Sequence, residues 1–421
     1  MTQVAALGEA RHVWPLLGSV ASRFMTMNKN SYNTSGLVVL LLGMAWQGLS
    51  DSPSESGRML TVIRDALRAG RAEETLRIVE NYERQYRNDS EALLRLAMLM
   101  SESSQHQAAA REFDRINELR PHSPDVLYNL GVALYHLQRL DEAAQALAES
   151  ADLDARPSEV HFSLGLVASE GGDHENAIIE FRHALDRAPQ RADFHYLLGQ
   201  EYFRLNCWVG AAAAYQRATE LDPGKALYLA GLGETRMATH DYESATKAFE
   251  RAAQLDPDFI DINYLIGYGY QRQMKLDLAR KYFEQQLTIT PDHLESLANL
   301  GFLALEQDRL ADAQNYLNKV LAKAPDHTAA NFDLGRTWSR LGRDDRAIEA
   351  FSRVLLVSPD HTQAQYQLFL CYSRARQPAR AQAALSEFKK LEELDKQSRR
   401  DQANLEKVRK IRYSGSQEGK D

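Results

Sequence analysis

One dipeptide returns along this 421-residue chain at a fixed stride. Leu130-Gly131, Leu164-Gly165, Leu198-Gly199, Leu232-Gly233, Ile266-Gly267, Leu300-Gly301 and Leu334-Gly335 are each 34 residues apart, with no insertion. Such a stride argues against an ordinary globular domain, because every unit must repeat one local structure and bury its apolar face on its neighbours. Other columns keep step. Alanine follows each glycine by 12 residues, at Ala143, Ala177, Ala211, Ala245, Ala279, Ala313 and Ala347. Four further on stands a large apolar residue: Leu147, Phe181, Tyr215, Phe249, Phe283, Leu317 and Phe351. Proline closes most units, at Pro121, Pro189, Pro223, Pro257, Pro291, Pro325 and Pro359.

These columns predict a helical hairpin per unit. Apolar residues recur at helical spacing on both sides of short polar turns such as Gln138-Arg139 and Gly171-Gly172-Asp173. Gly and Ala belong where two helices cross closely, with the large residue filling the space beside them. Proline ends the second helix, because it lacks the amide the next turn requires and pushes its predecessor out of the helical region. Abundant Ala, Leu, Glu, Gln and Arg agree with helix throughout.

In these positions the chain resembles the tetratricopeptide repeat family, whose pattern places Leu-Gly, Ala, an aromatic residue and Pro at the same offsets. The register extends to weaker units at 56–89, 90–123 and 362–395, where Ile63, Ala97 and Phe369 replace the glycine. The expectation is therefore ten units over 56–395, followed by a capping helix at 396–413 and a disordered tail at 414–421. The resemblance implies an all-α, right-handed superhelical solenoid with a concave groove.

Bulk charge points to no nucleic acid: Lys and Arg number 50 against 58 Asp and Glu. Cys207 and Cys371 lie about five periods apart, too far for a disulfide in a stacked array, and are expected to be packed thiols. The apolar run Gly36 to Trp46 follows Arg11, Arg23 and Lys29. As a helix it spans about 16 Å, half a bilayer core, which suits a signal-peptide core better than an anchor. Residues 1–55 are expected to be an export leader, with translation from Met25 or Met27 making it ordinary in length. A retained membrane anchor or a cytoplasmic chain with a buried leader are the alternatives.

No catalytic motif survives its context. GxSxG, HExxH and GxxxxGK[ST] are absent, and Gly267-Tyr268-Gly269 falls inside a repeat helix. Pro-Asp-His recurs at Pro291, Pro325 and Pro359. Neighbouring units stack at about 10 Å, so the outer histidines sit roughly 20 Å apart and cannot share one metal. The tripeptide is read as the turn between units, and no metal or cofactor is expected. Acidic residues near the start of first helices, at Glu91, Asp125, Glu159, Asp193, Asp261 and Glu295, are read as offsetting the helix dipole.

Two columns are candidate partner contacts. Tyr128, Phe162, Tyr196, Tyr264, Phe332 and Tyr366 stand three residues before the glycine position. In the family this column borders the concave face, so the rings either contact a bound peptide or pack on the neighbouring helix. Arg336 and Arg340 are four apart, Arg374 follows Arg340 by 34, and Arg204 and Arg272 occupy the same column as Arg340. Such arginines can clamp a carboxylate or acidic peptide, or form a balanced exposed face. Family members that grip chaperone tails use Lys and Asn where Tyr128, Val132, Phe162 and Leu166 stand here, so that clamp is not expected. The resemblance implies a non-enzymatic scaffold binding a protein or peptide segment. A membrane-anchored assembly factor of an envelope or secretion complex and a regulatory subunit of an enzyme are the alternatives.

Overall fold

A computed structural model describes residues 55–153 and 157–414, without the side chains of 399 and 402–414. The leader with its apolar run 36–46, and the tail from 415, lie outside the described residues. Among the described residues there are twenty helices and no strand, and no helix is long and apolar enough to cross a membrane. The chain divides between Asp241 and Tyr242 into two compact units.

The first unit holds α1 (Glu55–Arg68), α2 (Ala72–Gln85), α3 (Ser90–Glu102), α4 (His106–Leu119), α5 (Pro124–His136), α6 (Leu140–Asp152), α7 (Pro157–Glu170), α8 (His174–Arg187), α9 (Ala192–Arg204), α10 (Trp208–Leu221) and α11 (Ala226–Ala238). The second holds α12 (Tyr242–Leu255), α13 (Ile262–Arg272), α14 (Leu276–Ile289), α15 (Leu294–Glu306), α16 (Leu310–Lys323), α17 (Thr328–Arg340), α18 (Asp344–Val357), α19 (Thr362–Arg374) and α20 (Pro378–Ser414). The region expected to be a separate capping helix is continuous with the second helix of the last pair, in the 37 residues of α20.

The helical hairpin is built at its turn. After each first helix one residue adopts the left-handed conformation, at Gly70, Ser104, Gln138, Gly172, Asn206, His240, Met274, Asp308, Gly342 and Arg376. The two amides there cap the preceding helix: Gln138 N–H donates to Tyr135 O, and Arg139 N–H to Leu134 O. This crossed pair of bonds satisfies carbonyls that the helix end would otherwise leave open, and it turns the chain sharply into the second helix.

The glycine column does what its spacing predicts. A Cβ on Gly165 would lie 2.6 Å from the Phe181 ring, one on Gly199 2.8 Å from Tyr215, and one on Gly301 2.7 Å from Leu317. Phe181, Phe283, Leu317 and Phe351 are fully buried, as are Ala177, Ala279, Ala313 and Ala347. Each of the buried Phe and Leu side chains contributes about 1.5–3 kcal/mol, and each alanine methyl less. From α4 to α10 and from α14 to α18, each second helix packs on the first helix of the next pair as well as on that of its own.

The recurring histidines are helix caps. Nδ1 of His293, His327 and His361 accepts the backbone amides of Ser296, Ala330 and Ala364 at 3.1, 3.2 and 3.1 Å. Imidazole thus takes the role that Ser or Asp usually fills at a helix start. The acidic column stands at the same helix starts, with Glu91, Asp125, Glu159, Asp193 and Glu295 in first turns and Asp261 at the N-cap position of α13, where its side chain makes no capping bond. Both cysteines are free; Cys371 is buried, whereas Cys207 is exposed rather than packed.

Candidate interaction face

The aromatic column resolves into two kinds of residue. In the first unit Tyr128, Phe162 and Tyr196 are 2%, 1% and 4% exposed, and in the second Tyr264 is 3% exposed. Phe162 stacks on Phe194 of α9 with centroids 4.1 Å apart, and Tyr196 packs against Tyr215 and Tyr228. Tyr264 lies against Phe283 and His293, and burial pushes its phenol pKa far above the usual value. Phe162, Tyr196 and Tyr264 thus pack on the next helix pair and Tyr128 is buried, so of the two readings of this column, neighbour packing rather than ligand contact describes these four rings. Phe332 is half-buried against Phe351 and His361. Tyr366 differs. Its ring rests on Phe388 of α20 yet remains 40% exposed.

The arginines reach backwards along the chain. Arg336 sits between two carboxylates, 2.6 Å from Glu306 of α15 and 2.9 Å from Asp333 on its own helix. Arg272 donates to Tyr242 Oη at 3.1 Å and lies over that ring. Arg374 forks onto Asp344 at 2.6 Å and donates to Ser339 Oγ at 2.7 Å. Arg340 donates to the Leu305 carbonyl at 2.5 Å, and its carboxylate contact, Asp308, is 3.7 Å away. In the first unit Arg204 stands 3.6 Å from Glu201 and 3.4 Å from Ser169 Oγ. Each arginine therefore ties its first helix to the preceding pair, or to a carboxylate beside it.

The hub at Glu201 escapes sequence reasoning. This carboxylate is 1% exposed on α9, accepting from Ser169 Oγ at 2.8 Å and lying 2.7 Å from His174 Nδ1. In the other units that carry the Leu-Gly or Ile-Gly dipeptide, its column holds Ala133, Val167, Thr235, Gly269, Leu303 and Thr337. A charge in a small or apolar column was the available signal. The hydroxyl donates to the carboxylate rather than to the imidazole, so the three groups are not arranged as an activated nucleophile. They hold α7, α8 and α9 together.

Of the candidate contacts on the second unit, Arg340, Arg374 and Tyr366 stay exposed. Arg340 and Arg374 keep 39% and 46% of their side chains exposed, one repeat apart on α17 and α19. Tyr366 lies two turns before Arg374 on the same helix. Arg336, held on two sides, is 24% exposed. These positions offer two guanidinium groups and one phenol ring to solvent, chemistry suited to carboxylates and apolar side chains.

Comparison with family models agrees with the repeat architecture. Family models described as tetratricopeptide repeat match residues 101–167, 272–331 and 304–365, 162–226, and 226–259, together more than half of the chain. No curated protein matches the sequence. Similar solved structures include the MamA protein, 24% identical over 39% of this chain and 90% of its own, with a TM-score of 0.38. YrrB, described as a TPR protein with an unusual peptide-binding site, is 22% identical over 44% of this chain and 96% of its own, with a TM-score of 0.38. The APC/C hetero-tetramer Cut9-Hcn1 is 18% identical over 76% of this chain and 64% of that one, with a TM-score of 0.45.

Proposed function

Because the chain belongs to the tetratricopeptide repeat family, we propose that it is a non-enzymatic scaffold that binds a protein or peptide segment bearing carboxylates at Arg340, Arg374 and Tyr366 of the second unit. The observation that carries this reading is that Arg340, Arg374 and Tyr366 stay exposed on adjacent first helices even though both arginines hold partners, whereas Arg204, Arg336 and the buried rings of these columns are more enclosed. A carboxylate reaching Arg340 meets a cation whose nearest carboxylate is 3.7 Å away. A charge-assisted bond there is worth about 1.5–3 kcal/mol. Both arginines are held from one side by the preceding helix pair, so the receptor loses little conformational freedom on binding.

The test is binding of the full chain to an array of peptides graded in net charge. Acidic peptides are expected to be retained, with affinity falling at least tenfold in the Arg340→Ala, Arg374→Ala, Tyr366→Ala variant at unchanged helicity. Unchanged binding by that variant, or preference for basic peptides, overturns the proposal.

A further inference from the structure

Away from the arginine face, the first unit gathers two imidazoles and a carboxylate. His161 stands on α7, and Glu180 and His183 stand three residues apart on α8, its partner in the same hairpin. At that spacing two side chains share a helix face. His161 Nδ1 lies 2.7 Å from Glu180 Oε2, and the His161 and His183 rings meet edge to face with centroids 5.1 Å apart. Taking one ligand atom from each residue, all three atoms lie within 4.8 Å of one another.

We propose that His161, Glu180 and His183 form a binding site for a divalent transition-metal ion of the zinc type. Two imidazole nitrogens and one carboxylate oxygen make a donor set that suits zinc and its neighbours, whereas calcium and magnesium require a larger shell of oxygens. Zinc bonds to such ligands are about 2.0–2.2 Å, so donors around one ion stand roughly 3.3 Å apart. Holding an ion at that spacing opens the 2.7 Å contact between His161 and Glu180 and draws His183 inward, adjustments made by side-chain rotation. His161 and Glu180 keep 27% and 26% of their side chains exposed, and His183 is exposed, so solvent and a free ion can reach all three. The ion takes the position between His161 Nδ1 and Glu180 Oε2, and any proton held there leaves to solvent. Three protein ligands leave a fourth position for water or for a donor from a bound molecule.

The placement has a structural consequence. Glu180 and His183 belong to the second helix of the pair and His161 to the first, so a bound ion cross-links the hairpin. An ion that binds only the folded form also raises the apparent stability of that form.

The experiment is zinc titration of the full chain against a chromophoric chelator, with the melting temperature followed in parallel. One ion per chain is expected to bind and to raise the melting temperature. His183→Ala, the exposed ligand, and Glu180→Gln should each weaken that binding at least tenfold with the helical circular dichroism unchanged, and should abolish the zinc-dependent rise. His195→Ala, which alters another first-unit histidine bonded to the Pro189 carbonyl, should leave both readouts unchanged. Zinc binding that is absent from the native chain, or equally tight in the His183→Ala and Glu180→Gln variants, overturns the site.

Discussion

Gly335 of α17 lies directly beneath Phe351 of α18: a Cβ on the glycine would stand 2.6 Å from Cε1 of a ring that is itself fully buried. The hairpin closes to this distance only because the glycine has no side chain. Gly335→Val is expected to destabilise the second unit by about 1–3 kcal/mol through overpacking. Phe351→Leu, which reproduces the Gly301 and Leu317 pairing of the preceding repeat, should recover part of that loss. A double-mutant cycle by urea denaturation checks the coupling, and strictly additive effects would contradict the contact.

Met274 occupies the left-handed turn after α13 at φ 61°, with 76% of its surface exposed. Its side chain does little packing there, while a Cβ in this conformation costs roughly 1–2 kcal/mol. Met274→Gly should therefore raise stability by about 1 kcal/mol, and Gly342→Ala at the equivalent turn, where φ is 71°, should lower it. Denaturation midpoints of the two variants should move in opposite directions.

His327 caps α17 through Nδ1, so His327→Ala should cost about 1 kcal/mol, with His327→Asn recovering most of it. Burial lowers the imidazole pKa below its ordinary 6.5. The folded-state value being the lower one, the stabilisation is fully present above pH 6.5 and is lost as the pH falls through the folded-state pKa. The stability difference between the native chain and the Asn variant should consequently shrink or reverse on the acid side.

Glu234 of α11 behaves in the opposite sense. Its Oε1 is shut from solvent with no hydrogen-bond partner among the described residues, and burial pushes the carboxyl pKa up from 4.5 to about 8. A raised folded-state value means that stability is fully present below pH 4.5 and is lost as the pH rises through about 8. Glu234→Gln should stabilise the first unit at pH 8 and change it little at pH 4. Melting curves across this range should show the native and variant chains diverging with increasing pH.

The repeat columns made the hairpins legible before any coordinates, because Gly, Ala and a large residue at fixed offsets have one good arrangement: two helices crossing closely, with the ring in the gap. Proline and the Pro-Asp-His tripeptide marked the joints for the same local reason. The aromatic column was ambiguous, since position in a repeat does not reveal whether a ring meets a neighbour or solvent. Phe162 is buried because Phe194 stacks on it, and Tyr366 stays partly open beside Phe388. The arginine column was visible as a column, but its partners were not. Arg336 meets Glu306 and Arg374 meets Asp344, each 30 residues back. His161, Glu180 and His183 were missed because no single helix contains all three.

By itself the sequence determined the helical hairpins, their 34-residue spacing and the core that joins them, since these follow from local propensity and from periodic burial. Only the tertiary structure decided which side chains remain available, because availability depends on what the adjacent hairpin places opposite each residue. Repetition in sequence specifies equivalent positions. It does not specify equivalent surroundings, and the exposed guanidinium of Arg374 beside the enclosed one of Arg336 is the measure of that difference.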